Sequence, residues 1–413
     1  MHPAPAAPVQ AGEREFGLEQ ARQRALQAIA TAGYQAHLRD LRGAWRCQLS
    51  TNDGAPVPDG VGLGKGEAAA ARAGALFEAL EHHRSRFDAH LPSGLVLRSR
   101  TALERGAMGA DPAVTALGPG LAACLPYQAL DGTEEVLEVP IALGQPAYLS
   151  PQAAPTRSAW GDTCDYTSAA RYCTNSGTAI GSTRTEALVH ALTETIERDA
   201  LSLLLAATFL IPRRARLRLI DPASLPASLA RRAERASTVA GRPVHLIDMT
   251  TDLAVPAFCA HASPRGGHTT QGYGASLNAE HAAGRALDEL VQIHAVTTAA
   301  NPPPPDRTPQ ARHPRLLAAG RADFGPLLAT ADPVDFTATT APTTPAGHLA
   351  ALTATLAAHG LRPYARILHT EPNGVCTAAV CVPGLDKFFA IATGNTVMPS
   401  PHGLVRAREL ADR

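Results

Sequence analysis

Apolar residues recur at three- and four-residue intervals in five stretches of the chain, and each stretch predicts a helix. In the first, Leu18, Ala21, Ala25, Ala28 and Ile29 share one face, and the pattern stops near Gly33, where glycine accepts a left-handed cap. The second is alanine-rich and runs to about Arg86. The third covers about Thr183 to Thr208, opened by a Thr/Ser cluster that can cap free amides. The fourth spans about Ala279 to Ala299 and ends at Asn301 to Pro305, because proline lacks the donor and clashes with the preceding turn. The fifth is Leu349 to His359.

Alternation and β-branched runs predict strands at Trp45 to Ser50, Val136 to Val139, Val244 to Met249, Ala257 to Ala262, Tyr364 to His369 and Val375 to Pro383. Asp53-Gly54 is a turn signal. Gly60 to Gly66 reads as a glycine-punctuated loop, and Leu95 to Ser150 as short strands with Pro/Gly turns and no evident helix. Residues 301 to about 347, rich in Pro, Thr and Ala, read as a long loop or surface excursion. Met1 to about Gly12 reads as a disordered lead. Together these elements predict an α+β fold, with no tandem repeat.

At 413 residues the chain can bury a real core. Lys plus Arg and Asp plus Glu balance at 37 each, so no whole-protein field collects nucleic acid or an anionic membrane. An anionic ligand must be gripped locally. The seven cysteines, Cys47, Cys124, Cys164, Cys173, Cys259, Cys376 and Cys381, are odd in number and contain no C-x-x-C pair, so reduced thiols are expected. No stretch reaches the ~18 continuous apolar residues of a membrane helix, and the expected location is cytoplasmic.

Three of the predicted helices carry acidic or amide side chains three residues apart. In the first of them, Gly64-Lys65-Gly66 precedes Glu78 and Glu81, and a lysine between glycines lets an ammonium and backbone amides approach an anion. In the second, Asn175-Ser176-Gly177-Thr178-Ala179-Ile180-Gly181 leads to Glu186, Glu194, Glu197 and Arg198. At about 100° per residue those glutamates fall within an arc of roughly 80°, opposite Leu188, Leu192 and Ile196. The third carries Arg285, Glu289 and Gln292. Each pattern equally fits an ordinary amphipathic helix, and Glu194 with Arg198 an ordinary i, i+4 pair. If the three converge, hard carboxylate oxygens would suit Mg²⁺ and the cations a phosphate. His190, within the second motif, is read as a packing residue.

Taken together, the glycine-lysine-glycine stretch before E-x-x-E, the run ending E-x-x-E-R-D-A after N-S-G-T-A-I-G, and R-A-x-x-E-x-x-Q resemble the ATP-binding signature of the YcaO family. The tract Val244 to Pro256 and Val382-Pro383-Gly384-Leu385 extend the resemblance over roughly Gly60 to Met398. It implies mixed and antiparallel sheets packed with long helices around an ATP site. It divides the chain into an N-terminal segment 1–59, a catalytic domain 60–398 and a tail 399–413. It also implies that Lys65 contacts phosphate and that Glu78, Glu81, Glu186, Glu194, Glu197 and Glu289 ligate or orient Mg²⁺. Ser182, Glu186, Arg198, Arg285 and Gln292 would help hold ATP, with Lys65, Glu194 and Arg198 as the catalytic set. Gly74, Ser182 and His82 depart from the family's usual Ser, Asn and Arg.

The implied activity is activation of a peptide backbone amide by O-phosphorylation, giving an azoline, a macrocyclic amidine or a thioamide according to the nucleophile. Pro399-Ser400-Pro401 is only a fragment of the P-x-P-x-P tail typical of azoline formers, which shifts the expectation toward amidine or thioamide. Implied partners are a ribosomally made precursor peptide, a separate leader-binding or TfuA-like protein, and a second copy of the chain. A nucleotide-binding accessory protein without turnover, or an ATP-dependent amide ligase, are the alternatives.

Overall fold

The computed structural model describes residues 12–86, 92–212, 215–265, 268–304 and 306–412. The expected lead, up to residue 11, and Pro305 therefore lie outside the described residues. After the first helix, α1 (Leu18–Thr31), come strands β1 (Tyr34–Asp40), β2 (Trp45–Thr51) and β3 (Pro56–Gly64), then helix α2 (Ala68–Ser85). Next are β4 (Val96–Ser99), β5 (Leu121–Ala129), β6 (Val136–Pro140) and β7 (Thr178–Gly181), followed by α3 (Arg184–Leu205). Then come β8 (Arg218–Ile220), helix α4 (Ala227–Ala240), β9 (His245–Asp248), β10 (Ala257–Arg265), β11 (His268–Ala275) and α5 (Ala279–Ala300). The chain closes with α6 (Pro314–Arg321), β12 (Asp332–Val334), α7 (Pro345–Ala358), β13 (Tyr364–Thr370), β14 (Cys376–Cys381) and α8 (Pro401–Asp412).

Three sheets result: β1-β2-β3; β4-β5-β13-β14-β7 with β6 beside β5; and β11-β10-β9-β8-β12. The pairings are antiparallel except for β12 with β8. Helix α3 runs between the second and third sheets, with Leu188, Leu192 and Ile196 sharing a core with β14 and Leu201 to Leu205 entering the next core along. Burying each such aliphatic side chain stabilises the fold by about 1.5–3 kcal/mol. Thr183 caps its start, accepting the Glu186 amide at 3.2 Å, as the Thr/Ser cluster predicted. Asn278 does the same for α5, accepting the His281 amide at 2.9 Å.

Residues 60–64 are not the loop the glycines suggested but the end of β3, packed on α2. A Cβ on Gly62 would lie 2.2 Å from the Ala79 amide nitrogen, and one on Gly64 1.6 Å from the Ala71 carbonyl oxygen. Those glycines let helix and strand backbones touch, so they mark a close approach rather than a turn. Gly272 and Gly274 of β11 repeat the device against α5, where a Cβ would lie 2.2 Å from the Leu290 nitrogen and the Ala282 oxygen respectively. The tract 301–347 also departs from a plain loop, since it contains α6 and β12. Between residues 95 and 150, short helical turns such as Arg100–Glu104 and Ile141–Gly144 join the expected strands.

The C-terminal helix α8 is pinned by Arg406, which donates two hydrogen bonds of 2.9 Å to buried Asp199 and one of 2.7 Å to Asp252. All seven cysteines are unpaired. Among the described residues, no helix is long and apolar enough to cross a membrane.

Candidate functional site

Helices α2, α3 and α5 each follow a strand that ends in glycine-rich backbone, and each turns its acidic face toward the same interior region. Lys65, just past β3, donates to the carboxylate of Glu289 on α5. Glu81 on α2 accepts the Ile180 amide of β7 at 2.8 Å, and Glu78, one turn earlier, has His82 at 3.7 Å. On α3, Arg198 lies 3.8 Å from Glu194 and 4.0 Å from Glu197, with its guanidinium over the rings of Tyr273 and Phe389 at 5.9 and 5.3 Å. Those ion-pair distances are long for hydrogen bonds, so the aromatic rings hold the arginine while its donors face outward. Glu194, Arg198 and Glu289 line a cavity of about 1010 Å³.

The electrostatics follow from the closeness of these groups. Burial, with Glu194 and Glu78 adding repulsion, pushes the Glu81 carboxyl well above the usual range. Burial also raises Glu78 and Glu194, with the Glu289 charge contributing to both. Burial opposes ionisation of Glu289 too, yet Lys65 and Arg198 overcome it and carry that carboxyl below the usual range. One oxygen of Glu197, Oε2, is buried with no hydrogen-bond partner. Like charges this close in a dry site are costly unless a cation joins them. A divalent metal therefore suits the set. Among the described residues, no three acidic, His or Cys side chains could by themselves hold a metal ion. Mg²⁺ takes one or two carboxylates and completes its shell with water and substrate phosphates, so the set would suit it only together with those further ligands.

The resemblance-derived residues thus divide into two groups. Lys65, Glu78, Glu81, Glu194, Glu197, Arg198 and Glu289 come together, and Arg285 joins them by acting on both Glu194 and Glu289. Gln292, one turn beyond Glu289, is buried on the same helix. Ser182 and Glu186 stand apart: Glu186 is two turns, roughly 12 Å, from Glu194 along α3. Its carboxylate accepts the amides of Ser182 at 2.9 Å and Glu15 at 2.6 Å, with Arg14 at 3.7 Å. A carboxylate so occupied serves the helix terminus. Arg285 meets His190 at 3.4 Å, and burial with that neighbouring guanidinium holds the His190 imidazole far below its usual pKa.

Tyr273 and Phe389 are not among the residues singled out from the sequence; the glycines flanking Tyr273, Gly272 and Gly274, are the one local signal, and Phe389 has none. Glu13, which lies just past the lead, is likewise not among them. Glu13 accepts a hydrogen bond from Ser276 and faces His281 at 3.5 Å. Burial would raise that carboxyl, but His281, Arg285 and Ser276 together carry it well below the usual range.

A family model described as "YcaO cyclodehydratase, ATP-ad Mg2+-binding" matches residues 63–386. A stretch of 125 residues is 36% identical to an uncharacterized protein in the tfuA 3′ region of Rhizobium leguminosarum bv. trifolii, covering 28% of this chain and 29% of that protein. The chain therefore matches under a third of this curated relative's length. Among solved structures, YcaO from Methanopyrus kandleri bound with AMPPCP and Mg²⁺ aligns with a TM-score of 0.62 and 18% identity over 94% of this chain and 96% of that one. A heterocyclase in complex with substrate and cofactor gives 0.59 and 17%, over 92% of this chain and 54% of that one. The E. coli microcin synthetase McbBCD complex gives 0.55 and 11%, over 86% and 88%. At these identities it is the fold that is shared.

Proposed function

The chain belongs to the YcaO family, and from that premise we propose that it is an enzyme activating a peptide backbone amide by ATP-dependent phosphorylation of the amide oxygen. The observation that carries this reading is the meeting of Glu78 and Glu81, Glu194 and Glu197, and Glu289 from three helices, with Lys65 and Arg198 among them, beside one cavity. The M. kandleri relative, of the same fold, is bound with AMPPCP and Mg²⁺.

An amide oxygen is a poor leaving group; ATP supplies the phosphoryl group that makes it a good one, and Mg²⁺ neutralises charge on the phosphates. One or two of Glu78, Glu81, Glu194 and Glu289 would ligate the metal directly, and the others would bind its water shell. Arg198 balances negative charge at the cavity wall and Lys65 does so behind it through Glu289, where low dielectric makes each cation count for more than in water. Tyr273 and Phe389 hold Arg198 in place without using its N–H donors. The apolar walls exclude water that would otherwise compete with a peptide nucleophile.

The peptide's own nucleophile decides the product. A side-chain thiol or hydroxyl gives an azoline, an N-terminal amine a macrocyclic amidine, and a sulfide donor a thioamide. A ribosomally made precursor peptide is the proposed substrate. A TfuA-like protein is the proposed partner, a reading supported by the tfuA-region relative, and a homodimer is the proposed assembly.

The test is incubation of the whole chain with precursor-type peptide, ATP and Mg²⁺, read by mass and by ADP. Loss of about 18 Da indicates azoline or amidine and gain of about 16 Da thioamide. An unchanged peptide with no ADP refutes the reading, while a new amide bond with existing carbonyls intact identifies a ligase. Tight nucleotide binding with no peptide-stimulated ADP identifies an accessory protein.

A further inference from the structure

The cavity extends past the acids onto a second polar wall, which the nucleotide chemistry leaves unused. Gln271, Tyr273 and Asp323 line it together with Glu194, Arg198 and Glu289. Tyr273 and Gln271 are alternate residues of β11, so they face the same side about 7 Å apart. The wall is a connected hydrogen-bond chain. Tyr273 donates its hydroxyl to Gln271 Oε1 at 2.7 Å, and Gln271 Nε2 donates to the Ala322 carbonyl at 2.8 Å. The carbonyl partner fixes the amide's orientation, so the same nitrogen donates to His261 Nδ1 at 3.1 Å. With Nδ1 accepting, the neutral ring carries its proton on Nε2.

That Nε2 is buried, has no hydrogen-bond partner, and lies 3.8 Å from Asp323 Oδ1. His261 itself is 0% exposed and packs edge-on against Phe324 at 5.5 Å. Burial, with His245 and Arg242 nearby and against the pull of Asp323, holds its pKa at about 4, so it remains neutral at physiological pH. Asp323, which lines the cavity, directly follows Ala322, a non-glycine residue at φ +48° that closes α6 as its left-handed cap. Asp323 Oδ1 accepts the Gly325 amide at 2.9 Å, and among the described residues nothing bonds Oδ2.

We propose that Asp323 is the catalytic base of the amide-activating reaction, with His261 as the residue that positions it. This rests on the function proposed above. The nucleophile's X–H bond breaks, its proton passes to Asp323 Oδ2, and its electron pair forms the X–C bond to the amide carbon. The carbonyl π pair moves onto oxygen, and that oxyanion attacks the γ-phosphorus of ATP, whose bond to the bridging oxygen breaks as ADP leaves. Arg198, Glu289 and Asp323 line one cavity, so an amide carbon held there would meet both phosphoryl donor and base. Neutral His261 sets its protonated Nε2 3.8 Å from Oδ1, beyond hydrogen-bond length, where the N–H dipole favours the carboxylate without cancelling its charge.

The experiment compares the whole chain with Asp323→Asn, Asp323→Ala, His261→Phe and His261→Gln. The probes are a pool of short synthetic peptides bearing internal Cys, Ser or Thr or a free N-terminal amine, assayed with and without sulfide, plus AMPPCP–Mg²⁺ for calorimetry. Asp323→Asn, which keeps the Gly325 cap, is expected to lower peptide kcat about 100-fold or more, the scale of general base catalysis, with peptide KM and AMPPCP affinity unchanged. Formate restores part of the rate in Asp323→Ala, which a structural role would not allow. His261→Phe lowers kcat about tenfold at constant KM, and His261→Gln, which keeps an N–H donor, recovers most of it. Peptide turnover in Asp323→Asn within about threefold of the parent overturns the proposal. So does a loss of more than about tenfold in AMPPCP affinity, which would assign Asp323 to the nucleotide. An unsubstituted chain inert toward every peptide refutes the proposed function, and this inference with it, before any variant is compared.

Discussion

Lys65 and Glu289 form an ion pair across 224 positions of sequence, tying the turn after β3 to the middle of α5. The pair joins two of the three acid-bearing helices through a single contact. On the function proposed above, Lys65→Met is expected to weaken AMPPCP–Mg²⁺ binding by about ten- to a hundredfold, since it removes a cation from the acidic cluster and leaves Glu289 buried without its partner. Calorimetry on the variant decides, and an affinity within twofold of the parent would remove Lys65 from the nucleotide site.

Glu81 is the carboxyl most disfavoured by its surroundings, raised by burial and then by Glu194 and Glu78. Its folded-state pKa lies well above that of a free glutamate, so the folded chain binds the extra proton and stability falls as pH rises through that interval. Glu81→Gln keeps an acceptor for the Ile180 amide while removing the charge. In the absence of Mg²⁺ at neutral pH the variant should melt higher by about 2–4 °C, the shift that 1 kcal/mol produces in a sizeable domain. Its Tm should also decline less between pH 5 and pH 8. A lower Tm than the parent at pH 8 would show that the acids do not strain the fold.

Glu186 separates helix capping from metal binding. Its carboxylate holds the amides of Ser182 and Glu15, so Glu186→Ala should destabilise the fold by about 1–3 kcal/mol through buried donors left unpaired. Its effect on AMPPCP–Mg²⁺ affinity should be smaller than that of Glu194→Ala. Denaturant melts and calorimetry on both variants check this, and the reverse order would return Glu186 to the metal set.

Arg406 anchors α8 to buried Asp199 and to Asp252. Arg406→Ala strands Asp199 without a partner, and a cost of about 3–5 kcal/mol is expected, the usual result of breaking a buried pair. Asp199→Asn in the same background should recover part of it. If denaturant melts place the double variant no higher than Arg406→Ala alone, the loss comes from packing rather than charge.

The helices were legible because their apolar spacing and caps are local signals: Thr183, Asn301 and the Leu188, Leu192, Ile196 stripe each act within a few residues. The acids on α2, α3 and α5 were legible only as a family resemblance. Spacing alone did not separate Glu186, which caps, from Glu194, which faces the cavity, because both share the same arc of one helix. The strand ending in Gly64 was hidden because close approach to α2 is a tertiary demand that resembles a loop in sequence. Gln271, His261 and Asp323 sit on β11, β10 and the turn after α6 respectively, and no periodicity links residues that only sheet pairing and the Ala322 turn bring together. Positioning of that kind is encoded in topology.

The contact of β3 glycines with α2, and of β11 glycines with α5, sets helix against strand at main-chain distance. The heights at which Glu78, Glu81 and Glu289 stand above their sheets are consequently fixed by atoms every residue type shares. Leucines and valines elsewhere are then free to drift during evolution without misaligning the acids. A chain only 18% identical to its M. kandleri counterpart can in this way superimpose on it over 94% of its length, provided these few glycines stay small.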